Sequence, residues 1–318
     1  MTGTVLLALI AAGTLPAAHL LSRACWTWRT PRTAIALWQA LGLAWGVATI
    51  GALLGFALLP YRLGVAGGLV PLSADQGARL DIPHLVALVA GLSLGSVLLV
   101  MLVYAVVRVV RARHRHRALL ALVARDSGLR DTLVLDHDAA AAYCVPGVRS
   151  AKVVVSAGTL KLLDQAELAA VLAHERAHVR ERHDLVLLPF ASLRQVFPGF
   201  RLVARSMDAV ELLIEMTADD RARRHRPPRE LATALLRFAA ARPVAAPSGA
   251  LAALGTAAET GSVGRTASAD PFEGGGPVMA RVRRLLEPAP PPFAVQATAL
   301  AFAILIAVIP VLLYALPI

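Results

Sequence analysis

The chain is poor in charge, in cysteine and in lysine. Charged residues fill only 17% of its 318 positions, while 57% are hydrophobic. Mean hydropathy is +0.63. A soluble globular chain is about a quarter charged and about half apolar. Disorder, a collagen-like chain and a simple cytosolic enzyme are therefore excluded, and an integral membrane protein becomes the leading class. The two cysteines, Cys25 and Cys144, form no CxxC, which excludes a disulfide scaffold and reads as two free thiols. Lys152 and Lys161 are the only lysines, so the net charge of +11 is carried almost wholly by arginine. A basic balance points to nucleic acid or to an anionic membrane surface, and the placement of the arginines decides which.

Four apolar stretches are long enough to cross a bilayer: Val5–Leu21, Thr33–Leu59, Leu85–Val107 and Ala294–Leu316. A span needs about 20 residues. The first stretch is short and holds Pro16 and His19. Met1–Thr4 lacks a positive side chain, and Arg23, Arg29 and Arg32 follow the stretch. That is the reverse of a secretory signal, so the stretch reads as a retained span. Arginines also cluster after the third stretch, in RVVRARHRHR, and before the fourth, at Arg281, Arg283 and Arg284. The loop after the second stretch is neutral, with Arg62 and Arg79 against Asp75 and Asp81. Positive-inside counting puts the N-terminus outside and the large central segment in the cytoplasm. The basic clusters flank span ends and face lipid headgroups. Direct nucleic-acid binding is not expected, and His114 and His116 read as part of a headgroup strip rather than a metal site.

The predicted fold class is mostly α: a polytopic membrane protein with four transmembrane helices. Three lie in residues 1–117 (about 5–21, 33–59 and 85–107) and the fourth in 293–318, with a cytoplasmic α+β domain at 118–292. In that domain Ala118–Ser127 reads as helix, Thr132–Asp136 and Lys152–Ser156 as strands, and Thr159–Leu163 as a helical turn. Asp164 and Glu167 form a capping box that opens a helix running through LAAVLAHERAHVRERHD. Further helices are expected at Met207–Arg224, Glu230–Ala241 and Val278–Leu286. Residues 243–277 read as a linker rich in Ala, Gly, Ser and Thr, and Pro288 to Pro292 as a stiff elbow. Lys152–Ser156 is an edge strand open to an added substrate strand, or an internal one; both readings stand.

The motif that carries chemistry is His174-Glu175-Arg176-Ala177-His178, an HExxH inside a predicted helix. Residues i and i+4 face the same way, so two imidazoles can meet one Zn²⁺. Glu175 lies one step round the helix, where it can take a proton from water. A third ligand is needed. Glu181 is too far along a straight helix to share an ion with His174, and His183 points nearly opposite to His174. Glu211, Glu215 and Asp219 share one face of the Met207–Arg224 helix. Glu215 is preferred over Glu211, because only Glu215 is followed one turn on by an Asp able to accept the Nδ1–H of a ligand histidine. His225, Arg221 and Arg224 are conceivable oxyanion donors, and each reads equally well as a surface residue. Cys144, in YCVPG, is either a thiol beside the metal or a small buried residue.

With HERAHVRERHD followed by EMTAD, the chain resembles membrane zinc peptidases of the gluzincin pattern HExxH…ExxAD. Two families share it: the BlaR/MecR antirepressor metallopeptidases and the HtpX and CAAX-protease family. Three spans before the motif and one after are similar to BlaR/MecR, whereas HtpX-like proteins carry two and two. The resemblance implies a gluzincin-type domain with His174, His178 and Glu215 as Zn²⁺ ligands, Glu175 as catalytic base and Asp219 behind a ligand histidine. It further implies a bacterial plasma-membrane protease whose protein substrate is a BlaI/MecI-type winged-helix repressor. The chain ends at Ile318 with no SxxK acylation motif outside, and so reads as a short form without the penicillin-binding sensor domain. An HtpX-like quality-control peptidase and a non-catalytic membrane sensor or scaffold are the alternatives. A homo-oligomer is compatible with all three.

Overall fold

The computed structural model describes residues 2–61, 64–73, 80–123, 125–126, 132–145, 152–241, 276–287 and 293–315. The chain divides into two compact units. The first comprises Met1–Val103, Ser192–Val210 and Pro291–Ile318, and the second Tyr104–Ala191 and Glu211–Pro290.

The first unit is built from apolar helices. α1 (Thr2–Leu21), α2 (Pro31–Ala57), α3 (Gly64–Ser73), the start of α4 (Ile82–Val123) and a helix at Phe293–Leu313 contribute to it. Uninterrupted apolar sequence leaves each helix no polar face, and Pro31 at the first turn of α2 fits the one place where its missing N–H costs nothing. Leu7, Ala48 and Leu313 form one buried cluster, and Leu54, Ala57, Val65, Ala87 and Leu88 another. The Tyr314 hydroxyl donates to the Val47 carbonyl at 2.8 Å. Among the described residues, four helices are long and apolar enough to cross a membrane: Thr2–Leu21, Pro31–Ala57, Ile82–Leu120 and Phe293–Leu313. Most of their large side chains, such as Val86, Leu99, Phe302 and Leu312, are exposed. An apolar surface of this extent belongs in lipid rather than water.

The second unit holds a four-stranded sheet, β1 (Arg125–Asp126), β2 (Thr132–Leu135), β3 (Ala142–Val145) and β4 (Lys152–Ser156), in the order β1-β2-β4-β3. β2 and β4 run parallel, with Leu133 opposite Val154, and β3 is antiparallel to β4, with Cys144 opposite Val153. Lys152–Ser156 is therefore internal, and the edge on its side away from β2 is β3, a strand absent from the sequence reading. Val153, Val154 and Val155 are all fully buried, as befits a central strand covered on both faces. Ser156 closes the sheet onto α5 (Ala157–Leu162), its hydroxyl accepting from Thr159 N at 3.1 Å and Ala141 N at 2.9 Å.

α6 (Gln165–Arg180) opens with the expected capping box: Glu167 N donates to Asp164 Oδ1 at 2.8 Å, and Asp164 N to Glu167 Oε2 at 3.0 Å. α7 (His183–Val196), α8 (Arg201–Ala222), α9 (Pro228–Ala240) and α10 (Gly276–Leu286) follow, and Phe293–Leu313 is α11. Leu163, Ala170, Val171, Ala222, Leu231, Ala234, Val282 and Leu285 form the core that joins α6, the end of α8, α9 and α10. On the other side of α6, Leu172 packs on Val153 and Val155. Each such Val or Leu contributes about 1.5–3 kcal/mol by burial.

Three expectations are corrected. Ala118–Ser127 is no separate helix: α4 runs on unbroken through the basic strip to Val123, and Arg125–Asp126 is strand. The helix of the HExxH motif does not continue through RERHD; it stops at Arg180 and a new helix begins at His183. α8 starts at Arg201, six residues before the expected Met207. Of the expected linker at 243–277, Gly276 and Pro277 begin α10, and the rest lies outside the described residues, as does the proline elbow.

Gly158 has backbone packed where a side chain would be: a Cβ there would collide with the Asp138 carbonyl oxygen, whereas one at Gly42 meets nothing within 4 Å. Gly158→Ala should destabilise by about 1–3 kcal/mol. Thermal unfolding of the detergent-solubilised protein checks this, with Gly42→Ala as the neutral control.

Candidate metal centre

α6 carries His174 and His178 on one face, one turn apart, and α8 carries Glu215 and Asp219 with the same spacing. The four meet inside the second unit. His174 Nε2 lies 3.1 Å from His178 Nε2 and 3.3 Å from Glu215 Oε2, and His178 Nε2 lies 3.4 Å from Glu215 Oε1. Donors about 2.1 Å from one tetrahedral ion lie about 3.4 Å from each other. The triangle already has the edge lengths that a zinc site requires. Its two-imidazole, one-carboxylate composition is that of catalytic zinc, where the fourth position stays open. Among the described residues, His174, His178 and Glu215 form the group whose ligand atoms converge in this way. Glu211 stands exposed on α8, apart from that group.

Asp219 is buried, with Oδ1 2.9 Å from His174 Nδ1, the nitrogen turned away from the triangle. Asp219 also forms a salt bridge to an arginine. Its partner is Arg281 of α10, a residue the sequence reading assigned only to a lipid-facing cluster. Arg281 donates to Asp219 through Nε at 2.9 Å and Nη2 at 2.8 Å, and its Nη1 lies 2.9 Å from Glu215 Oε2. Only 9% of the residue is exposed. Fully buried arginine is uncommon unless paired. The signal in the sequence was weak: an arginine in the middle of a short amphipathic helix, far along the chain. Of the other candidates, Arg221 lies 4.0 Å from Glu181, outside the triangle.

Electrostatics separate the roles of these groups. Burial alone would strip the proton from His174, but the Asp219 and Glu215 carboxylates outweigh it and raise the ring to about 10. Burial pushes His178 down to about 3, so that ring is neutral. Burial would raise Glu215, yet Arg281 and the two histidines hold it well below the usual carboxylate range. Glu175 is pushed up by burial to about 7, with His174, Arg281 and a hydrogen bond from the Cys144 backbone opposing the rise. A half-buried acid tuned close to neutrality beside a cluster of candidate ligands is the pattern of a proton-transfer group. The Cys144 thiol is pushed up to about 12 by burial, which disfavours a thiolate ligand.

Residues 110–226 match Peptidase family M48. The match spans β1 to β4, both histidines of the triangle and α8 with Glu215 and Asp219, and ends before α10. It supports a metallopeptidase of a membrane-associated zinc family. No curated protein and no solved structure matches the chain.

Zinc must displace the proton that His174 holds up to about pH 10. Apparent zinc affinity should therefore tighten by about tenfold per pH unit through neutrality. Competition titrations with a chelator at about pH 6 and about pH 8 check the slope. Asp219→Asn should flatten it, because the proton then loses its carboxylate partner.

Proposed function

We propose that the chain is a membrane-anchored zinc metalloendopeptidase that cuts a cytosolic regulatory protein, a winged-helix repressor of the BlaI/MecI type. The observation that carries the peptidase reading is the His174–His178–Glu215 triangle with Glu175 beside it. What supports the repressor is the order of the apolar helices, three before the motif and one after it.

A zinc ion held by the triangle supplies Lewis acidity toward the scissile carbonyl and acidifies water. The chain does the rest. Glu175 takes the proton of the attacking water on its carboxylate and returns it to the amide nitrogen as the peptide bond breaks. Asp219 keeps the His174 ring turned with Nε2 inward, and Arg281 holds the Asp219 and Glu215 carboxylates in place. β3 pairs with β4 along one side. Its Cys144 backbone already reaches Glu175, so an extended substrate adding along β3 would pass beside the catalytic carboxylate.

The match to Peptidase family M48 speaks for the chemistry and not for the repressor. A second reading therefore stands beside the first, a quality-control peptidase of the HtpX type with loose specificity. The two differ in their products. Incubated with the repressor encoded beside its gene, the wild-type protein should give one or a few fragments by intact mass. Glu175→Gln should keep its zinc and lose about 10²–10⁴ in rate. Broad degradation of unfolded membrane proteins with the repressor left whole would favour the second reading. Bound zinc with no hydrolysis of either would favour a sensor or scaffold.

The proposed orientation places the basic loop after α1 in the cytoplasm of a bacterial cell. Cys25 is exposed in that loop. In a Cys144→Ser background, a membrane-impermeant maleimide should label Cys25 only after the cells are opened. Labelling of intact cells would reverse the topology.

A further inference from the structure

Arg182 has φ +49°, the positive value found at no other non-glycine position among the described residues. A residue with a Cβ is disfavoured in that region and stays there only where its surroundings hold it. The turn ends α6 and starts α7 at His183, and it brings His183 back onto the helix that the chain has just left. On a straight helix this ring would point away from the metal face. His183 Nδ1 instead lies 3.0 Å from His178 Nδ1, with the two rings edge to face and their centroids 4.9 Å apart. His183 is only 4% exposed. Its Nε2 sits 3.5 Å from Glu181 Oε2, and Glu181 faces Arg221 at 4.0 Å.

The proton positions follow from this geometry. His178 turns Nε2 to His174 and Glu215, so Nε2 is the nitrogen that a metal would take. A ligating nitrogen carries no hydrogen, which leaves the His178 proton on Nδ1. The 3.0 Å contact then holds one N–H, donated by His178 and accepted by His183 Nδ1. His183 in turn keeps its own hydrogen on Nε2, the nitrogen facing Glu181. The other His183 tautomer would set two N–H groups against each other.

We propose that His183 is a positioning residue of the metal centre: it accepts the His178 Nδ1–H and aims His178 Nε2 at the metal, with Glu181 facing its other ring nitrogen. His174 has a carboxylate, Asp219, in the equivalent place, whereas His178 has a neutral imidazole. A second buried carboxylate there would add to the negative charge of Glu175, Glu215 and Asp219, which Arg281 only partly offsets. The inference rests on the metallopeptidase reading.

The test is zinc affinity, measured by chelator competition on the full-length protein in detergent. His183→Phe keeps a buried ring and removes the acceptor. His183→Asn restores an acceptor. His183→Phe should weaken zinc by about 10–100-fold and shift the visible spectrum of the cobalt-substituted protein, and His183→Asn should recover most of the loss. Wild-type affinity in His183→Phe would overturn the proposal, as would equal weakening in both variants, which is the mark of lost packing. If His183→Phe fails to fold, Glu181→Gln takes its place: severalfold weaker binding is expected, and an unchanged constant would overturn the relay. A wild-type protein that binds no zinc would sink the metallopeptidase reading itself, an outcome separate from zinc-loaded wild type with indifferent His183 variants.

Discussion

The interaction on which the rest depends is the buried contact of Arg281 with Asp219 and Glu215. Three carboxylates crowd the centre: Glu175, Glu215 and Asp219. Like charges in so confined a space drive one another toward protonation, and a protonated Glu215 would be a poor metal ligand. The Arg281 guanidinium prevents this. It grips Asp219 through two nitrogens and Glu215 through a third, and keeps both ionised. Removing one member of such a buried network leaves an uncompensated charge, which is far costlier than the pair is beneficial. The network also assigns the remaining proton. With Glu215 and Asp219 held as anions, Glu175 is the acid left near neutrality, where a proton shuttle is useful.

The fold exists, in this light, to bring three distant helices to one point. α6 is started by its capping box and pinned by Leu172 on the buried valines of β4. α8 contributes two acids one turn apart. Arg281 of α10 lies 62 residues beyond Asp219 in the chain, and α10 is docked by Val282 and Leu285 in the same core that holds Ala170, Val171 and Ala222. Arg281 immediately precedes Val282, so the packing that seats α10 also delivers the guanidinium. The apolar helices of the other unit serve a different end. They have no polar face to offer water, and their exposed side chains make lipid their natural surroundings.

The two histidine rings of the triangle are held by unlike means, one by a carboxylate and the other by a second imidazole. The difference follows from charge. The His174 side already pairs Asp219 with Arg281, whereas on the His178 side the ring meets a second imidazole, His183. A neutral acceptor orients the ring without adding to the charge that Arg281 must balance.

Much of this molecule was legible in the sequence. Long uncharged runs determine membrane helices without reference to tertiary structure, because a backbone in lipid must satisfy its own hydrogen bonds. The i, i+4 histidines and the Glu215–Asp219 turn were readable because helix periodicity places such residues on one face wherever the helix packs. The capping box and the central KVVVS strand were equally local. What the tertiary structure alone decided lies where the chain breaks its own period or where contacts are remote. The left-handed Arg182 ends a helix that propensity would have continued, and so redirects His183. The edge of the sheet fell to β3 because β4 found partners on both sides, a matter of pairing rather than composition. Arg281 was one arginine among many until α10 packed against α6 and α8. Sequence spacing gives residues a shared face on one element; only the packing of separate elements decides which charge comes to rest beside another.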